Sequence, residues 1–194
     1  AERALSRAGE RYFEGSRAAR EQALLHFLEA RQAFRELGEL RQEARALYAA
    51  AVLARLTDQP AKALDLAEGA RELWQGAGEG LWTAASWNEV GLDLWLGGKP
   101  GPAASAFEEA RQLADHLPHP FTAAVAASNL CLVELGRGRL RSGLDCYEEA
   151  VLRLEAVAAR ALEAGALTSS GRAWDVLGEP QRALDTYRRA LDAA

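Results

Sequence analysis

The hydrophobic positions of this chain recur every 40 residues. Ala23, Ala63, Ala103, Gly143 and Ala183 form one series of small residues, and Ala30, Ala70, Ala110, Ala150 and Ala190 form another. Between them, on the same spacing, stand Phe27, Ala67, Phe107, Tyr147 and Tyr187. Within each unit the three positions are four and then three residues apart, which places them on one face of a helix. An earlier stretch of each unit carries a matching face: Trp87, Val90, Gly91 and Leu94 in the third unit, Leu167, Ser170, Gly171 and Trp174 in the fifth. Each unit therefore predicts two amphipathic helices.

Breakers separate the two helices of a unit at Asp58-Gln59-Pro60, Gly97-Gly98-Lys99-Pro100, Gly136-Arg137-Gly138 and Gly178-Glu179-Pro180. Glycine suits the left-handed residue that ends a helix, and proline suits the first turn of the next. Units join through Gly38-Glu39, Gly76 to Gly80, and the run from His116 to Pro120. Connections this short force successive helices to pack antiparallel. The expected fold is a single all-α domain over 1–194, an αα-hairpin solenoid of about ten antiparallel helices. Its repeats fall at 1–38, 39–78, 79–118, 119–158 and 159–194.

Small residues mark where two helices approach closely, and an aromatic ring opposite fills the remaining gap. Gly91 is expected to face Ala103 and Phe107 in this way. The first unit is irregular: Gly9 lies too far from Ala23 for the common spacing, so Ser16 to Ala19 are expected to form a longer loop. Glu134 takes a slot held by Leu94 and Trp174 elsewhere, which calls either for a rotation of that helix or for a partner such as Arg137 or Arg141.

At these residues the chain resembles the tetratricopeptide repeat family, whose pattern is Trp, Leu-Gly and Tyr in the first helix, then Ala and Phe in the second. The third unit carries Trp87, Val90-Gly91, Leu94, Ala103, Phe107 and Ala110, and the fifth carries the turn Leu177-Gly178-Glu179-Pro180 with Gln181, Arg182, Ala183 and Leu184. The 40-residue period is similar to that of repeats in kinesin light chains, bacterial peptide-sensing regulators and bacterial proteins that couple such repeats to a CHAT protease. The resemblance implies a right-handed superhelix whose concave surface is lined by the first helix of each hairpin, and a function in binding another protein or an extended peptide. On that reading the partner-facing stripes are Arg45, Tyr48, Val52 and Arg55; Asn88, Leu92 and Trp95; Ser128, Leu132 and Leu135, with Asn129 beside them; and Thr168, Arg172 and Asp175. The family's clamp for a C-terminal carboxylate is not evident, because Tyr48, Val52 and Glu89 stand where its groups would be, and Glu89 would repel a carboxylate.

Composition narrows the function further. A net charge of −5 and a pI near 5.4 disfavour nucleic-acid backbones as partners. No run of about 18 apolar residues offers a membrane span. Cys131 and Cys146 are the only cysteines, too few for a stapled secreted scaffold, so they are expected to pack as core thiols in a cytoplasmic, GC-rich bacterial protein. His26, His116 and His119 lack metal-ligand spacing, and no nucleophile motif, phosphate loop or paired catalytic carboxylates stand out. The expectation is a non-enzymatic module needing no cofactor or metal. Without any methionine, and with Leu184, Tyr187 and Leu191 forming an apolar stripe on the last helix, the chain reads as the recognition or regulatory segment of a larger protein. The alternatives are a spacer that self-associates through that helix, and the sensor region of a protease or transcriptional regulator.

Gly91 gives the register a direct test. Gly91→Leu is expected to overpack its hairpin and cost about 1–3 kcal/mol, read as a lower midpoint in urea denaturation.

Overall fold

The computed structural model describes residues 2–4, 6, 8 and 16–194. From residue 17 onward nine helices follow one another: α1 (Arg17–Glu36), α2 (Leu40–Leu56), α3 (Pro60–Gly76), α4 (Gly80–Leu96), α5 (Pro100–Asp115), α6 (Pro120–Gly136), α7 (Leu140–Ala156), α8 (Arg160–Val176) and α9 (Pro180–Ala193). No strand occurs among the described residues. Two compact units share the chain, Ala1–Lys99 with α1 to α4 and Pro100–Ala194 with α5 to α9. Within each, consecutive helices pack against one another as antiparallel pairs.

The turns explain how nearly every helix stops. Positive φ angles fall at Gly38, Asp58, Gly78, Gly98, Gly138, Ala158 and Gly178, so the left-handed residue recurs on a 20-residue spacing. At each, the following amide donates to the carbonyl five residues back, as in Glu39 to Phe34 at 2.9 Å, Lys99 to Leu94 at 2.9 Å and Ala159 to Leu154 at 2.9 Å. These bonds satisfy carbonyls that a helix end would leave open. Pro60, Pro120 and Pro180 then open α3, α6 and α9, where a missing amide hydrogen costs nothing.

The repeating stripe is the core. Ala23, Ala63, Ala103, Gly143 and Ala183 are all buried, as are Ala30, Ala70, Ala110, Ala150 and Ala190. Four residues further on, Phe34, Trp74, Ala114 and Leu154 are buried as well, a series that extends the predicted face by one turn. In the first unit Ala44, Leu47, Ala70 and Trp74 make one cluster, and Ala23, Leu24, Ala50, Leu53, Ala54 and Ala63 another. Ala4 packs with Ala30 and Phe34. In the second unit Tyr147, Val151, Leu154 and Leu167 lead the core.

The expected match of small residue to aromatic ring is realised in the fifth hairpin, where a Cβ at Gly171 would lie 2.4 Å from the Tyr187 ring. In the fourth, a Cβ at Gly143 would lie 2.2 Å from Leu135 Cδ2. Cys131 occupies the slot of Gly91 and Gly171, and the expectation of a free core thiol there is overturned: Cys131 and Cys146 form a disulfide with Cα atoms 5.4 Å apart. The two side chains meet because both point into the seam between α6 and α7. The two cysteines therefore give no reason to place the protein in a reducing compartment.

Two local expectations also change. Ser16 to Ala19 do not form a loop: Ser16 caps α1 by accepting from the Ala19 amide at 3.1 Å, and helix begins at Arg17. Gly9 lies outside the described residues. Glu134 finds Arg137 at 3.3 Å, as expected, but its second partner is Arg139 at 3.1 Å rather than Arg141.

Asp58 and Ala158 hold left-handed backbone without being glycine, a conformation that costs an L-residue about 1–2 kcal/mol. Ala158 gains nothing from its methyl there, so Ala158→Gly is expected to raise stability by roughly 1 kcal/mol in urea denaturation, and Gly138→Ala to lower it by a similar amount.

Candidate functional site

In the first unit the two first helices of successive hairpins, α2 and α4, touch directly. They do so through polar and aromatic side chains. Tyr48 Oη on α2 lies 3.5 Å from Glu89 Oε1 on α4, and Arg55 Nη2 donates to Glu89 Oε2. Arg55 Nε also lies 3.3 Å from Asp93 Oδ1. One guanidinium thus serves two carboxylates a helical turn apart. The arginine and both acids are largely withdrawn from water, Asp93 almost completely.

An aromatic edge continues this cluster. The Tyr48 ring meets Trp82 edge-on at 5.7 Å, and Trp82 stacks on Trp74 at 5.4 Å and 19°. Trp74 is buried, whereas Trp82 is 37% exposed. Tryptophan and tyrosine offer large rigid contact area at small entropic cost, and arginine offers paired donors, which is why such residues dominate binding energy at interfaces.

Asp93 is the unusual group. Neither carboxylate oxygen receives a hydrogen bond. Burial pushes its carboxyl up to about 7, with Arg55 pulling down and Glu89 pushing up. Ser86, one turn before Glu89 on the same face, is also buried with its hydroxyl unbonded.

The structure separates the sequence-predicted residues. Tyr48 and Arg55 join the cluster, Arg45 is exposed, and Val52, Leu92 and Trp95 are half-buried. Asn88 is not presented to a partner: it is 3% exposed. The reason is rotational. α4 turns Trp82, Ser86, Glu89 and Asp93 toward α2, a stripe of i, i+4, i+7 and i+11, about 100° round from Asn88 and Leu92. Trp82, Glu89 and Asp93 were missed, although that heptad spacing is readable in the sequence; Glu89 was weighed only as a repulsive charge.

In the second unit Ser128, Asn129 and Thr168 are half-buried and Arg172 is exposed. Leu132 and Leu135 pack on the core instead of facing away from it, and Leu135 fills the space over Gly143. Asp175 likewise faces its own hairpin partner, accepting from Tyr187 Oη at 2.8 Å. The last predicted position of these two stripes thus lies on the hairpin seam. Among the described residues no group of three or more His, Cys, Asp and Glu side chains is placed to hold a metal ion, and no helix is long and apolar enough to cross a membrane.

The raised Asp93 carboxyl gives a pH signature. Between the ordinary carboxylate range and about pH 7 the folded chain holds a proton that the unfolded chain has released, so stability falls as pH rises across that window. Asp93→Asn removes the buried charge without removing volume. Its melting temperature is expected to exceed that of the parent by at least about 3 °C at pH 8, with the gap closing near pH 4, as followed by circular dichroism.

No curated protein matches the chain. A tetratricopeptide repeat family model matches residues 42–115. Among solved structures, the Rap conjugation gene regulator of plasmid pLS20 in complex with the Phr* peptide superposes with a TM-score of 0.82 at 18% identity, over 97% of this chain and 52% of that one. A Rap protein complexed with Competence and Sporulation Factor gives 0.82 at 15% identity, over 95% and 52%. The nearly identical TPR-like repeats of a putative kinesin light chain from Podospora anserina give 0.71 at 14% identity, over 98% and 94%. This chain spans about half the length of the two Rap structures. Residues 42–115 are therefore tetratricopeptide repeats, and the chain has the all-α helical-hairpin fold of tetratricopeptide repeat proteins.

Proposed function

We propose that this chain is a polypeptide-binding scaffold whose contact face in the first unit is built on α2 and α4. The observation that carries the reading is the join between those helices: an aromatic edge of Tyr48 and the exposed Trp82 runs into the Arg55, Glu89 and Asp93 cluster. Apolar area beside oriented charge is what an extended peptide needs, since its side chains supply the first contact and its backbone and charged groups the second. The likeness to repeat structures complexed with Phr* peptide and with Competence and Sporulation Factor supports the same class of partner.

Arg45 and Val52 extend this face along α2, and Ser128, Asn129, Thr168 and Arg172 are the candidate contact residues of the second unit. The chain acts by holding a partner in place, as the recognition part of a larger protein. A second reading, self-association, draws on α9, where Leu184 is 44% and Leu191 77% exposed.

Peptides selected from a random display library against the purified chain test the main reading. Tyr48→Ala and Trp82→Ala are each expected to weaken the selected peptides by roughly 10-fold or more, the loss typical of an aromatic anchor, in fluorescence anisotropy. Peptides bound at full strength by both variants would remove this face from the reading. Light scattering that showed a concentration-dependent dimer broken by Leu191→Glu would favour self-association instead.

A further inference from the structure

Beside the α2 and α4 cluster lies a cavity of about 270 Å³ between the start of α3 and the end of α4. Leu64 and Leu94 supply apolar wall, and Asp65, Asp93 and Lys99 supply charge. Asp93 belongs to both places. Its Oδ1 is 3.3 Å from Arg55 Nε, yet neither of its oxygens accepts a hydrogen bond, although its side chain is only 1% exposed. A carboxylate in that state lacks a donor, because burial without hydrogen bonds costs it far more than its attraction to one arginine returns.

The charges around it leave one negative unit over. Arg55 comes from α2, Glu89 and Asp93 from α4, Asp65 from α3, and Lys99 from the turn after α4: two cations against three carboxylates. A proton can fill the deficit, as can a positively charged group. A neutral or anionic ligand would leave it as it is.

We infer that this cavity takes a cationic alkyl side chain, lysine or arginine, of the bound polypeptide, with its stem along Leu64 and Leu94 and its charged head on Asp93. The stem matches the apolar wall, and the head brings the donors that Asp93 lacks. Arg55 stays on Glu89, so the incoming cation completes the cluster without dismantling it. The proposal rests on the polypeptide-binding reading for the source of the cation, and on the cavity alone for its chemistry.

Two matched probes separate these points. n-Butylammonium and the neutral n-butanol are titrated into the whole ¹⁵N-labelled chain at pH 8, with the Leu94 and Lys99 amides followed by NMR. Saturable shifts with n-butylammonium, at least 10-fold weaker with n-butanol, are expected. Asp93→Asn should abolish the preference for the cation, and Asp65→Asn should reduce it. Dropping to pH 5 should weaken n-butylammonium by 10-fold or more, because the proton then holds the site. Equal affinity for the two probes, or an Asp93→Asn variant that keeps the preference, overturns the inference. The source is tested on a selected peptide by replacing each Lys or Arg with norleucine. One such change should cost 10-fold or more in the parent chain and little in Asp93→Asn, whereas equal costs in both overturn the assignment to a peptide side chain. Loss of peptide binding in Tyr48→Ala and Trp82→Ala, with probe titration intact, would show the two readings standing separately.

Discussion

Two helices can lie close only where one of them gives up its side chain, and that constraint organises this molecule. At Gly171 and Gly143 the space a Cβ would need is already filled, by Tyr187 and by Leu135. Where one small residue is matched to one large residue opposite, as in these two hairpins, there is a single register in which the hairpin closes. The alanine series at 23, 63, 103 and 183 and at 30, 70, 110, 150 and 190 repeats the device along the chain. Helices held this close leave their other faces unfilled, and in the first unit the face between α2 and α4 is occupied by Tyr48, Arg55, Glu89 and Asp93 instead of by core.

That substitution of polar for apolar contact has consequences for energetics. An arginine shared between two acids in a largely dry setting adds little net stability, because desolvation opposes attraction. It ties α2 to the side of α4 that carries Glu89 and Asp93. Asp93 is the residue left short by this arrangement, and its raised carboxyl is the thermodynamic trace of the shortage. The strained left-handed residues Asp58 and Ala158 are a smaller imbalance of the same kind, tolerated because the hairpins around them determine the turn.

The sequence was most legible where a physical rule acts on neighbours a few residues apart. Alternation of small and large at fixed offsets located the hairpin seams, and glycine and proline located the turns that contain them; the turn at Ala158 holds neither. It was less legible where the outcome depends on how one helix is rotated against another. Asn88 looked outward by counting, yet α4 is turned so that Glu89 and Asp93 meet α2 and Asn88 is buried. Leu135 and Asp175 failed for the same reason, sitting at the edge between hairpin seam and outer face. Membership of one hairpin leaves Cys131 and Cys146 open to core packing or to a disulfide, and what decides between them is that both side chains face the same seam.

Pro118 stands where the 20-residue spacing of left-handed turns asks for a positive φ, an angle its ring forbids. The chain does not shift to avoid it. α5 stops at Asp115, the turn takes another path through Leu117, whose amide donates to Ala114 at 3.0 Å, and α6 still begins at Pro120, in step with α4 at Gly80 and α8 at Arg160. From α2 onward the invariant is therefore the 20 residues between helix starts, and the conformation of any one turn is free to differ so long as the count is kept.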